Sequence, residues 1–153
     1  MKQTPLILLC VVLILHCRTY AQEPLSALTE KKVSKPFLFT SLPDRFEVPS
    51  AELHQMLSGN ENEKIHAQLS GQFVVEGSVV DRSQHTPGTV SVNIRLHNYQ
   101  NALFNITIRL LADNSTSIQG RIIHPKYGDV LELYKENGRY YMKKTLQRLY
   151  MPD

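Results

Sequence analysis

Two stretches decide the fold: Val90-Ser-Val-Asn-Ile-Arg-Leu96 and, after a short polar break, Phe104-Asn-Ile-Thr-Ile-Arg-Leu110. Each places an apolar side chain at every second position. Strand side chains alternate between faces, so Val90, Val92, Ile94 and Leu96 fall on one side and Ser91, Asn93, Arg95 and His97 on the other. A third run, Ile65, Ala67 and Leu69 alternating with His66 and Gln68, has the same period. These are half-buried β-strands, with one face oily and the other wet.

Working outward, further strands are expected at 72–82, 117–124, 129–135 and 139–144, separated by segments rich in turn residues. The breaks are Ser70-Gly71, Thr86-Pro87-Gly88, Asn98 to Asn101, Asp113-Asn114-Ser115, Pro125 to Gly128, and Glu136-Asn137-Gly138. Asn137-Gly138 is the strongest, because a two-residue hairpin turn needs positive φ at both centres. Links this short cannot join parallel strands, which need a crossover of a dozen or more residues. The sequence predicts a mainly β fold bordering on α+β: an antiparallel meander of six to seven strands.

An apolar sheet face cannot stay in water, because each buried Val, Leu, Ile or Phe is worth roughly 1.5–3 kcal/mol. The sheet must curl into a half-barrel or small barrel, or wrap around other elements. Gly77 and Gly120, both mid-strand, are natural places for a bulge or sharp bend. One short helix is available as cover: Pro49 or Ser50 starts it, Leu53, Met56 and Leu57 share a face, and Ser58-Gly59-Asn60 ends it. Pro36 to Pro43 reads as an irregular or edge segment packed on the body, and 22–36 as a flexible lead-in.

The start of the chain resembles a secretion leader. Lys2 precedes ten unbroken apolar residues, Leu6 to Leu15, about half of what a spanning helix needs. Thr19-Tyr20-Ala21 sets small residues at the positions signal peptidase requires, so cleavage is expected between Ala21 and Gln22. Of the 153 residues, this leaves 132, enough for one domain over 37–153. The Ala-Gln-Glu ending is similar to leaders of Gram-negative exported proteins, which implies a periplasmic or secreted address. Lipidation at Cys17 is the rival, weakened by His16 where that motif wants a small residue. Asn105-Ile-Thr107 and Asn114-Ser-Thr116 would be glycan acceptors only in a eukaryotic secretory route.

Composition narrows the chemistry. Both cysteines, Cys10 and Cys17, lie in the leader, so the mature chain has neither a disulfide scaffold nor a thiolate site. Beyond the leader stand 15 Lys and Arg against 14 Asp and Glu, a formal +1. His54, His66, His85, His97 and His124 form no metal-binding pair, and no nucleophile elbow, zinc-protease motif or phosphate loop occurs. No cofactor is expected. The run Arg139 to Tyr150 mixes four basic residues with three tyrosines and no acid; a lysine-guarded edge strand explains it better than nucleic-acid binding.

One loop gathers polar chemistry: His124-Pro-Lys126-Tyr127-Gly-Asp129 brings an imidazole, an ammonium, a phenol and a carboxylate together between two strands. It is the candidate binding site, set against a plain turn built on Pro125 and Gly128. The leading expectation for function is an exported, non-catalytic binding or interaction module of a bacterial envelope, holding an envelope or secreted protein. A carrier of small apolar ligands in a barrel cavity comes second, and a periplasmic hydrolase third.

Overall fold

The computed structural model describes residues 35–146. Ala21, Gln22 and Cys17 lie outside the described residues. After an irregular segment come β1 (Arg45–Val48), the helix α1 (Ser50–Ser58), β2 (Lys64–Ser70), β3 (Phe73–Thr86), β4 (Thr89–Leu96), β5 (Ala102–Leu110), β6 (Thr116–Ile123), β7 (Asp129–Glu136) and β8 (Arg139–Leu146). The strands form one antiparallel sheet in the order β1-β8-β7-β6-β5-β4-β3-β2. Consecutive strands from β2 to β8 are neighbours, as short turns require. Asn137 and Gly138 both take positive φ, 50° and 81°, in the tight turn joining β7 to β8.

The eighth strand is the departure from six or seven. Arg45-Phe-Glu-Val48 is four residues long and pairs with β8, Phe46 facing Met142 and Val48 facing Tyr140. So brief an alternation next to Pro49 carries no strand signal of its own. Its partner lies nearly a hundred residues downstream, where local patterning gives no information.

The sheet curls into a half-barrel, and the curl is legible in a single contact. Phe46 of β1 meets Phe73 of β3 edge-on at 5.5 Å between centroids, although six places separate these strands in the sheet order. The outer strands β1 and β2 also approach each other. Irregular register falls between Gln68 and Ser70, Val79 and Asp81, and Gln84 and Thr86, not at Gly77 or Gly120. The two glycines act by a different route. A Cβ at Gly77 would sit 2.3 Å from the Arg95 carbonyl oxygen, and one at Gly120 would sit 2.7 Å from that of Asn105. Bare backbone lets the adjoining strands press closer than any side chain permits.

The concave face is filled. Val75, Val92, Ile94, Leu96, Phe104, Ile106, Ile118, Ile122, Leu131 and Met142 are buried there, and α1 adds Leu53, Met56 and Leu57. At nine residues the helix is too short to persist alone, so this burial holds it in place. Its last turn has no basic residue of its own. Arg82 of β3 compensates, its guanidinium donating to the carbonyls of Leu57 and Gly59, where the negative end of the helix favours a cation. Among the described residues no helix is long and apolar enough to cross a membrane.

Replacing Gly77 by Ala is expected to destabilise the domain by about 1–3 kcal/mol, since the added methyl meets a ladder carbonyl that cannot yield. Urea unfolding monitored by circular dichroism checks this, and Gly71→Ala, with open space at its Cβ position, is the neutral control.

Candidate functional site

The loop 124–129 turns out to be tied down on every side. Asp129 opens β7 pointing inward and is only 5% exposed. Its two carboxylate oxygens accept the backbone N–H groups of Leu38 and Phe39, each at 2.7 Å. Beside it the Gly128 N–H donates to the Pro36 carbonyl at 2.9 Å, and the Lys35 ammonium donates to the Pro125 carbonyl at 2.8 Å. The loop therefore clamps the segment 35–39 across one end of the half-barrel. Phe39 is fully buried there, 5.7 Å from the ring of Tyr99, which in turn stands 5.1 Å from Phe73. Burial pushes the Tyr99 phenol above its ordinary pKa.

His124 is turned elsewhere. Its Nε2 lies 3.1 Å from the Gln100 carbonyl, and its Nδ1 accepts the Lys126 N–H at 3.1 Å, the pattern of a neutral ring protonated at Nε2. Tyr127 packs edge-on against it at 4.9 Å. The loop thus brings His124, Lys126 and Tyr127 together, whereas Asp129 faces the clamped segment. The expected local turn is present, but the carboxylate serves backbone some 90 residues away.

A second constellation has the look of chemistry. Ser91 Oγ lies 3.2 Å from His85 Nε2 and 2.7 Å from Thr107 Oγ1, in a depression of about 430 Å³ that Arg109 also borders. The nucleophile–base distance is suitable. Two further requirements go unmet among the described residues: no carboxylate orients His85, and Ser91 sits mid-strand, laddered to Ser83 and Thr107, with no turn to aim N–H groups at an oxyanion. The same outer face continues as a polar row. Ser83 and Asn93 both donate to Asp81, at 2.8 and 3.1 Å, and Asn105 donates to Asn93 at 2.8 Å. These bonds tie β3, β4 and β5 together. No cluster of three metal-ligating side chains exists among the described residues.

The third feature is a break in the sheet itself. β5 and β6 pair over eight residues, and so do β7 and β8. Between β6 and β7 the ladder holds only Gly120 to Leu133, Arg121 to Glu132 and Ile122 to Leu131. Thr116 to Gln119 of β6 and Tyr134 to Glu136 of β7 have no ladder partner in each other, although the two strands stay side by side. A groove of about 740 Å³ lies over this seam, bordered by Ser117, Gln119, Arg121, Tyr134, Arg45 and Lys143 among others. Arg45 stacks over Tyr141 at 4.0 Å from its centroid, lies 5.7 Å from that of Tyr134, and forms an ion pair with Glu136. Sequence patterning missed this site, because strands at 116–123 and 129–136 look equally pairable along their whole length. The only hint was the five-residue, proline-containing link between them, which fixes no register.

No protein family, curated protein or solved structure matches the chain. The functional reading therefore rests on the geometry of these three places.

Asp129→Ala strands one buried and one half-buried N–H group, so a loss of about 2–5 kcal/mol is expected. Denaturant unfolding measures it; a loss below about 1 kcal/mol would show that the clamp is not structural. Lys126→Ala, on an exposed side chain in the same loop, should leave stability within about 0.5 kcal/mol.

Proposed function

We propose that this chain is an exported, non-catalytic interaction module that receives an extended segment of a partner protein in the groove over the seam between β6 and β7. The carrying observation is the ladder that stops after three pairs. Unpaired N–H and C=O groups along a strand are a ready template for the backbone of another chain lying over them. The groove over the seam falls within the usual size range of ligand sites. Gly120 at its closed end leaves the floor unobstructed, and Tyr134 offers a ring to pack against.

Other features support this reading over its rivals. An apolar carrier needs an empty interior, yet large side chains of the sheet and α1 fill the concave side. A hydrolase needs an oriented base and an oxyanion site, and the Ser91–His85 contact has neither among the described residues. The leader expected at residues 1–21 supports an address outside the cytoplasm, periplasmic or secreted.

A reversible lock tests the seam directly. Continuing the register of Gly120 and Leu133 would set residue 119 opposite residue 134. A Gln119→Cys, Tyr134→Cys variant of the mature chain, otherwise free of cysteine, can be closed by oxidation and reopened by reduction. Peptides selected by display on the open domain should lose at least about ten-fold in affinity on oxidation and regain it on reduction. Unchanged binding by the oxidised form would exclude the seam.

A further inference from the structure

One row of side chains crosses the outer face beside the seam. Arg121 of β6 faces Glu132 of β7, Glu132 faces Lys143 of β8, and Lys143 faces Arg45 of β1. Three cations share the row with a single carboxylate. The last pairing is unusual, since like charges set directly opposite in an antiparallel pair destabilise it. Glu136 is already engaged by Arg45, and Asp44 by Lys144 at 3.2 Å. Among the described residues no ion pair takes up Arg121 or Lys143. Arg45 is held flat by Tyr141, which presents its guanidinium instead of letting it swing away. Counting Glu132 within the row and Glu136 on Arg45, the row keeps one positive charge in excess.

We infer that the segment taken into the groove over the seam is acidic, with carboxylates at alternate positions that meet Arg121 at the closed end and reach Lys143 beside it. This inference rests on the seam reading and names the chemistry of its occupant. A strand lying in the groove turns every second side chain, roughly 6.6 Å apart, toward the sheet, so an alternating acidic sequence puts all its charges on the face that carries the row. Arg121 can take a carboxylate through two parallel N–H bonds, which favours a planar carboxylate over a diffuse anion. Exposed ion pairs contribute about 0.2–1 kcal/mol each, so two of about 0.7 kcal/mol amount to a preference of about ten-fold.

Three labelled seven-residue peptides test this on the mature chain by fluorescence anisotropy: threonine alternating with glutamate, with glutamine and with lysine. The glutamate peptide should bind about ten-fold more tightly than the glutamine peptide at low salt, and the advantage should shrink at about 0.3 M salt. Arg121→Gln with Lys143→Gln should abolish the preference without changing the melting temperature by more than a few degrees; Lys143→Gln alone should weaken it partly. Equal affinities for all three peptides would overturn the charge inference while leaving the seam reading intact. Binding of none would overturn both. Dextran sulfate is the remaining arm: if it binds with the same salt dependence and leaves amide exchange at 116–119 and 134–136 unchanged, the row serves a surface polyanion and the inference fails.

Discussion

The structure depends on covering one apolar sheet face. Eight antiparallel strands present a continuous oily surface, and among the described residues no second sheet lies on it. Curling brings that surface around on itself until Phe46 meets Phe73, and α1 and Phe39 occupy what remains. Every other feature follows from this arrangement. Arg82 is needed because the helix ends inside the curl, and Asp129 because the segment bearing Phe39 must bring its own N–H groups into a water-poor place.

Curvature has a second effect. The curled sheet loses pairing between β6 and β7, where three pairs remain of the seven that the register and the strand bounds allow. Gly120 stands where the ladder stops. Backbone freed by curvature and cations gathered beside it then share one surface, although the two arise from different physics.

How much of this was legible beforehand depends on the range of the interaction. The period of two in 90–96 and 104–110 fixed which residues face inward, and the turn residues fixed the antiparallel order, because both signals are local. The helix was equally plain from Leu53, Met56 and Leu57 and its glycine stop. What stayed hidden was non-local. β1 pairs with the far end of the chain, Asp129 bonds backbone 90 and 91 residues away, and Arg82 caps a helix 23 to 25 residues before it. Composition shows the candidate loop as a run of polar groups, but it could not tell that the carboxylate of Asp129 is committed to holding the chain together. The seam was invisible for the same reason: where a ladder ends is set by the bend of the whole sheet.

The junction of β1 with β8 also orders events in time. Phe46 and Val48 are made early in synthesis, yet the surface they settle on does not exist until residues 139–146 have appeared. A growing chain therefore carries β1 unsealed until β8 has been made, and closure of the half-barrel is reserved for the hairpin of β7 and β8.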